Sequence, residues 1–407
     1  MNKIFSKYFC FFLVIINFTY VFSHLATFSQ SSQEKIILDL KFIRNLKISE
    51  FNDKISEKPK VSIVIPVYNG EDYVYELIAC IQQQSLKDLE MIFVDDNSPD
   101  ESYEKIEEAQ LIDQRIKILR NKKNRGIFYS RFYGALQSKG SYVAFIDCDD
   151  LYINPMLLSE AYLSAESKNL DLVQYEYIKS DYDGGEKYEN FIAHTSDFTY
   201  FELKTPPDIK TLFVGQKNNP KGSIAVFDKL YKKSLINKMA DFFGEAIINK
   251  HIFLMEDFLM NFSAFREAES FMFIKNFGIW VWNNNPNSPL KKGYEEKSVN
   301  SVSSKSEMKK LEDYLTVLEI VFQLTENDPS EETFRYNILN RLSSPNDLRN
   351  LFSMSYHYEK LLNICRKFYN WKYITKEIKK KVKIFCKETV EMSHDNKLKY
   401  MKIFKKK

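Results

Sequence analysis

The sequence predicts an α/β fold built on a Rossmann-like, mostly parallel sheet, with a helical region appended at the C-terminal end. Short apolar runs rich in Val, Ile and Phe recur between residues 60 and 146, and stretches with helical spacing separate them. No internal repeat of fixed period is visible, which argues against a solenoid. Strands that alternate with helices in this way are typical of right-handed βαβ units.

The strand and helix order follows from this alternation. The first strand is predicted at 61–67, where VSIVIPV is an almost continuous β-branched run that suits burial on both faces. Helices are then expected at 73–84, 101–110 and 127–137, and strands at 91–94, 116–119 and 142–146. The rhythm breaks after residue 173, and 179–222 is predicted to be a long variable loop region. Ordered segments are expected again at 224–239 and 253–266, the second of them a helix.

At 407 residues the chain exceeds the usual size of one hydrophobic core, so we expect one large domain and an appended segment. A stem or linker is predicted at 26–59, the main domain at 60–300 and the helical C-terminal region at 301–407. Apolar residues at helical spacing support the last assignment: Met308, Leu311, Leu315, Leu318 and Val321.

The charge balance argues against a nucleic-acid partner. The chain has 58 Lys and Arg residues against 55 Asp and Glu, a net charge of +3, which is too small to attract a polyanion. The five cysteines are irregularly spaced and form no CxxC pair, so neither a zinc site nor a disulfide framework is predicted.

The N-terminus carries a membrane or export signal. Residues 8–33 contain no Lys, Arg, Asp or Glu, and 9–25 are mostly apolar. Lys3 and Lys7 precede the run, which keeps the N-terminus cytosolic and sends the rest of the chain to the lumen. The run is at the short end for a spanning helix, so residues 1–25 are predicted to be a signal anchor or a cleaved signal peptide. The expected location is the secretory pathway, as a type II ER or Golgi membrane protein or, after cleavage, a luminal or secreted one.

Polar and acidic residues follow three of the predicted strands. The first strand ends in PVYN at 66–69, the second is followed by DDNS at 95–98, and the fourth by DCDD at 147–150. Ligands of open parallel sheets bind at the carboxyl ends of the strands. The functional site is therefore expected at this edge.

These segments resemble, in order, the motifs of the family 2 glycosyltransferases, whose fold is the nucleotide-sugar-binding GT-A type. VSIVIPVYN (61–69) resembles the family's opening strand, VDDNS (94–98) its second acidic turn and FIDCDD (145–150) its metal-binding loop. The later matches are Asn124, Gly126 and Arg131 as the Asn-x-Gly and following Arg, KLY at 229–231, and Glu256-Asp257. The resemblance covers about residues 60 to 290, with Phe132 where the family often carries Asn.

The resemblance implies a metal-dependent, inverting glycosyltransferase that moves a sugar from a nucleotide-diphospho-sugar, with a UDP-sugar favoured, to a hydroxyl of a glycan, protein or lipid. Mn²⁺ or Mg²⁺ would neutralise the diphosphate and help the nucleotide leave. Asp149 is the foremost candidate for a metal ligand, with Asp150 beside it. Asp147 is expected to orient the sugar donor. By itself an Asp-rich turn that closes a strand would explain these residues equally well.

Four residues are expected to hold the sugar donor. Asp95 would accept a hydrogen bond from the base or ribose, and Pro66 and Tyr68 would form a wall beside the base, unless Tyr68 only packs at the strand end. Arg131 would offer a bidentate fork to the pyrophosphate, or else is an ordinary helix Arg.

The acceptor side centres on Asp257, the expected general base that removes the proton of the acceptor hydroxyl. The structural alternative for Asp257 is a charge at a helix terminus. Glu256 and Trp282 are expected to contact the acceptor, although a strand Trp more often packs.

Two other functions stay open. One is a catalytically inactive nucleotide- or sugar-binding protein on the same fold. The other is a sugar nucleotidyltransferase, which needs a Gly-rich basic loop after the first strand. Here that loop, VYNGED at 67–72, is acidic.

Overall fold

The computed structural model describes residues 40–51, 56–182, 188–194, 200–203, 223–252, 255–282, 285 and 305–328, with scattered positions up to residue 380. The strands in this part are β1 (Val61–Val67), β2 (Leu89–Asp95), β3 (Ile116–Arg120), β4 (Tyr142–Phe145), β5 (Leu151–Tyr152), β6 (Leu172–Tyr182), β7 (Tyr188–His194), β8 (Tyr200–Leu203), β9 (Lys229–Lys232) and β10 (Phe271–Trp282). The helices are α1 (Val74–Gln82), α2 (Ser102–Ile112), α3 (Ile127–Gln137), α4 (Leu157–Lys168), α5 (Lys233–Phe243), α6 (Glu245–Ile248), α7 (Glu256–Glu267) and α8 (Lys305–Leu324).

The first four strands form the parallel half of one mixed sheet, in the order β3-β2-β1-β4. All seven residues of β1 are buried because helices cover both faces of the sheet. Val64 packs with Phe128 of α3 on one face, whereas Ile63 packs with Leu77 of α1 on the other. The predicted α/β class and Rossmann-like sheet are therefore confirmed, and the carboxyl ends of β1, β2 and β4 lie at one edge.

The second half of the sheet continues as β9-β6-β10-β5, with β7 paired to β6 and β8 to β10. The prediction of a loop over 179–222 is wrong in part, because β6 extends to Tyr182 and β7 and β8 lie within that range. Their pairing with β6 and β10 is antiparallel and long-range, and such contacts decide strand formation where the local sequence is polar. Residues 204–222 lie outside the described part of the chain.

The folded unit extends beyond the predicted 60–300 at both ends. Residues 40–44 form a short helix, and Leu40 and Ile43 are buried in the same core as β1. At the other end, Leu315 and Leu318 of α8 are buried in one core with Leu259 of α7. Part of α8 thus packs in the same core as α7, and the predicted domain boundaries stay a prediction.

None of the helices in the described ranges is both long and apolar enough to cross a membrane. The apolar run at 1–25 lies outside those ranges, so the signal anchor or signal peptide stays a prediction.

Helix α3 lies very close to the sheet because Gly134 has no side chain. A Cβ atom at this position would lie 2.6 Å from Cγ1 of Val64 and 2.8 Å from Cγ2 of Val94. Since α3 also carries Arg131, this close contact fixes how far Arg131 stands from the strand ends.

We expect Gly134→Ala to lower the free energy of unfolding by about 1–3 kcal/mol, as overpacking does, even though Ala favours helix. Both clashing methyl groups belong to β-branched side chains on buried strands and cannot rotate away easily. Denaturant titration measures the change. A second substitution, Val64→Ala, reopens the space, so the double variant should lose less than the sum of the two single variants. Wild-type stability of Gly134→Ala would contradict the close approach.

Candidate active site

The loops that follow β1, β2 and β4 touch one another at the carboxyl edge of the sheet. The amide of Asp96 donates to the carbonyl of Val67 at 2.8 Å, and the amide of Asn69 donates to Oγ of Ser98 at 3.2 Å. Gly70 stands so close to Cys148 that a Cβ atom on it would lie 2.9 Å from Sγ. The three polar strand ends singled out in the sequence therefore line one crevice.

The two aspartates after β2 have different surroundings. Asp95 is buried, its Oδ1 accepts from the amide of Ser98 at 3.0 Å, and its Oδ2 lies 3.0 Å from Nε of Arg120. Asp96 instead holds the loop before α3, because it accepts from the amides of Arg125 and Gly126 at 2.7 and 2.8 Å. This role of Asp96 was not predicted from the sequence. The signal that could have found it is its place in DDNS at 95–98, directly after β2.

Arg131 joins the loop after β4 to the start of α7. Its side chain is 1% exposed; Nη2 donates to Oδ1 of Asp147 at 2.7 Å, and Nη1 contacts Glu256 and Asp257. Both terminal nitrogens are thus bound to carboxylates. Arg131 thus positions acids from two distant parts of the chain, and its predicted contact with the pyrophosphate stays a prediction.

We call Arg131 and its three acidic partners the Arg131 cluster. The cluster contains three acidic side chains and one cation, so negative charge is in excess. Burial, reinforced by the charge of Asp257, raises the pKa of Glu256 to about 8. Burial also raises the pKa of Asp257, although the charge of Arg131 opposes that shift. Glu256 is therefore protonated at neutral pH, which relieves the excess charge beside Arg131.

A second set of buried polar residues, around Lys229 and Asn261, holds the helix that carries Asp257. Nζ of the buried Lys229 donates to Oδ1 of Asp228 and to the carbonyl of Ala225, each at 2.6 Å. The fully buried Asn261 donates to that same carbonyl at 3.1 Å and to the carbonyl of Asp257 at 3.0 Å. The KLY segment therefore anchors the first turn of α7 and with it Asp257.

The acidic loop after β4 is held by the end of β10 and the chain just beyond it. Nδ2 of Asn285 donates to Oδ2 of Asp149 at 2.6 Å, and the amide of Trp282 donates to Oδ1 of Asp150 at 3.1 Å. Burial, together with the charge of Asp147, raises the pKa of Asp149 to about 6. Burial and the neighbouring aspartates also raise the pKa of Asp150. The loop is therefore crowded with negative charge.

Asp149 and Asp150 suit a divalent cation. Within the described ranges, no group of three or more His, Cys, Asp and Glu side chains is arranged to hold an ion by itself. However, Mg²⁺ in nucleotide sites commonly takes one or two carboxylates and completes its shell with phosphate oxygens and water. Two adjacent carboxylates that repel each other fit that pattern, because a bound cation would offset their repulsion.

The two residues predicted to flank the base differ in their exposure. Tyr68 is 42% exposed at the mouth of the crevice, whereas Pro66 is buried within β1 opposite Val94. The Tyr68 ring is therefore open to a ligand at this point, whereas Pro66 is covered by the sheet and its helices. Trp282 lies beside the acidic loop because its amide donates to Asp150, and its predicted contact with the acceptor stays a prediction. Asn285, which donates to Asp149, lies in the Asn-rich sequence NNNPNS at 283–288 that follows Trp282, and that sequence was its signal.

We expect Glu256→Gln to flatten the dependence of stability on pH. The pKa of Glu256 rises from 4.5 to about 8 on folding, so the folded protein binds more protons and its stability falls as pH increases through this window. Gln cannot ionise, so the variant should gain on the order of 1 kcal/mol or more over wild type between about pH 5.5 and pH 8.5.

Thermal unfolding at the two pH values measures this gain. The exposed acid Glu57 provides the control, as Glu57→Gln should follow the wild-type curve. The same pH dependence in both variants would show that Glu256 is not held protonated.

Comparison with known proteins agrees with this geometry. A sequence model of the family described as glycosyl transferase family 2 matches residues 62–235. The uncharacterized glycosyltransferase EpsJ of Bacillus subtilis is 29% identical over 230 residues, which is 56% of this chain and 62% of EpsJ. The putative glycosyltransferase EpsH of the same organism is 30% identical over 219 residues, or 54% of this chain and 59% of EpsH. The chain thus spans about three fifths of the length of these curated relatives.

Solved structures show the same fold. S. aureus TarS 1-349 in complex with UDP-GlcNAc superposes with a TM-score of 0.56 at 18% sequence identity, covering 85% of this chain and 89% of that one. The mixed, mostly parallel sheet is thus that of the GT-A fold. Residues 62–235 are thus similar to glycosyl transferase family 2, within a domain that has the GT-A fold.

Proposed function

We propose that the protein transfers a sugar from a UDP-sugar to an acceptor hydroxyl with inversion, using Mn²⁺ or Mg²⁺ bound at the acidic loop. The observation that carries this proposal is the shared guanidinium of Arg131. It brings Asp147, next to the metal-binding residues, together with Asp257 at the start of α7. A carboxylate beside a diphosphate site is what inverting transfer requires of its base.

The choice of sugar donor is supported by a structural neighbour. TarS has been solved in complex with UDP and with UDP-GlcNAc. In this chain Tyr68 is exposed where a base would lie, and Asp95 is buried at the end of the neighbouring strand. We assign these two side chains to the uridine and Asp147 to the sugar or ribose.

Asp149 and Asp150 would hold the divalent cation. Bound there, the cation would neutralise the diphosphate and stabilise the departing nucleotide. Both carboxylates already have one oxygen fixed by Asn285 and Trp282. Their orientation is thus set before any ligand arrives, which favours tight binding.

Asp257 would act as the general base. Its Oδ1 is bound to Arg131, yet 27% of the side chain is exposed, so its Oδ2 can face an acceptor. As the acceptor oxygen bonds to the anomeric carbon, the bond from that carbon to the phosphate oxygen breaks and its electron pair leaves with UDP. The acceptor proton passes to Asp257. Arg131 opposes the burial that raises the pKa of Asp257 and so favours the ionised base.

We expect the purified full-length protein, given Mn²⁺ and a panel of UDP-, GDP- and dTDP-sugars, to release nucleotide from a UDP-sugar when an acceptor is present. Asp257→Asn should lower kcat about 10²–10⁴-fold while still binding UDP, because only the base is lost. Asp149→Asn should weaken UDP binding itself. Nucleotide release and UDP titration distinguish the two effects.

The exposed Asp241 serves as the matched control, since Asp241→Asn should behave as wild type. Wild-type release by both Asp257→Asn and Asp149→Asn would refute the assignments. UDP binding without any turnover by the wild type would point instead to the inactive binding protein.

A further inference from the structure

Residues 40–49, which we call the docking segment, are fixed on the domain although the sequence predicts a linker there. Leu40 and Ile43 are 0% and 4% exposed. Further along, the amide of Ser49 donates to Oε1 of Gln82 at 2.9 Å, and Nε2 of Gln82 donates back to the carbonyl of Ser49 at 2.8 Å. The segment is thus held both by apolar burial and by paired hydrogen bonds to α1.

Arg44 of the docking segment lies against the end of β10. Its guanidinium carbon is 5.2 Å from the ring centroid of Trp280 and 5.6 Å from that of Trp282. The two indole rings lie 6.4 Å apart and are nearly parallel. Nη1 of Arg44 also donates to Oε2 of Glu76 at 3.0 Å, which fixes the guanidinium in place. A cation over an aromatic face is attractive, and more so where water is largely excluded.

Trp282 is connected to both carboxylates of the acidic loop. Its amide donates directly to Asp150 at 3.1 Å. Its ring meets that of Tyr73 edge to face, with centroids 5.6 Å apart. Oη of Tyr73 donates to Oδ1 of Asn285 at 3.3 Å, and Asn285 donates to Asp149 at 2.6 Å. Asp150 is therefore bonded to the main chain of Trp282, and Asp149 is bonded to an amide held by Tyr73, whose ring packs on Trp282.

We propose that Arg44 is a positioning residue of the sugar-donor site, and that the docking segment is a working part of that site. The inference rests on the proposed function. Two adjacent carboxylates repel each other and would spread apart if left alone. Arg44 holds the ring of Trp282 in place. Trp282 donates to Asp150, and Tyr73 holds Asn285, which donates to Asp149. The two carboxylates are thereby kept in the arrangement that binds Mn²⁺ with UDP. Residues that orient metal ligands in this way commonly change affinity by 10–100-fold when lost.

This arrangement places part of the site outside the segment that matches the family, which begins at residue 62. Arg44 comes before that segment, and it contacts the rings of Trp280 and Trp282 and the carboxylate of Glu76. A purely stabilising role for Arg44 would lower the melting temperature and leave the affinity for Mn²⁺ and UDP unchanged. The two roles are therefore separable by experiment.

The test uses full-length Arg44→Ala and Arg44→Lys. Mn²⁺ binding with UDP is followed by calorimetry and by the loss of the free Mn²⁺ paramagnetic signal, and melting temperature is recorded in parallel. We expect Arg44→Ala to weaken binding of Mn²⁺ with UDP about tenfold. KM for the UDP-sugar should rise by a similar factor, with little change in kcat, because Asp257 is untouched. Arg44→Lys should recover much of the affinity, since an ammonium group also sits over aromatic rings.

The control is Lys238→Ala. It removes the exposed ion pair between Lys238 of α5 and Glu269, and it should leave the affinity for Mn²⁺ with UDP unchanged. If Arg44→Ala does not fold, Tyr73→Phe decides the matter, because it keeps the ring and deletes only the bond to Asn285. A loss of affinity in Tyr73→Phe supports the proposal, and wild-type affinity in it overturns the proposal.

A lower melting temperature with unchanged Mn²⁺ and UDP affinity in Arg44→Ala would overturn this inference alone. Failure of the wild type to bind UDP with Mn²⁺ would overturn the proposed function and this inference with it.

Discussion

The guanidinium of Arg131 stands between three carboxylates from two distant parts of the chain, and its side chain is 1% exposed. Burying three acids together is unfavourable unless a cation and hydrogen bonds compensate. Arg131 supplies both, and protonation of Glu256 removes part of the remaining charge. The loop after β4 and the first turn of α7 can meet only because of this balance, and the proposed metal site and base depend on their meeting.

The surrounding elements hold Arg131 and its acidic partners in position. Gly134 lets α3 lie close enough to the sheet to deliver Arg131 to the strand ends. Asp96 fixes the loop in front of α3, and the Lys229 and Asn261 bonds fix the start of α7. These polar groups are buried and mutually satisfied, which makes them rigid supports. The loops that line the crevice are thus held in place by buried polar groups.

The parallel half of the fold was predictable because β1 to β4 are continuous apolar runs separated by clear helices, a pattern carried by local sequence. Strands β7 and β8 were missed because their partners β6 and β10, not their composition, make them strands. The acids after β2 and β4 were predicted from their positions after strands, whereas Glu256 and Asp257 were predicted from the resemblance to the family. The contacts of Arg131 with these acids could not be predicted, since spacing in the sequence does not reveal how many carboxylates surround a side chain. Likewise, nothing near Arg44 in the sequence indicates that it meets two tryptophans of β10.

Arg131 is already bound by three carboxylates, so the charge of a diphosphate in this crevice has to be met by something else. We propose that a divalent cation at Asp149 and Asp150 does so. Calorimetric titration of UDP into the full-length protein, once with Mn²⁺ and once with EDTA, tests this proposal. We expect saturable binding with Mn²⁺ and at least about tenfold weaker binding in EDTA, a difference of about 1.4 kcal/mol. Equal affinity in the two titrations would contradict it.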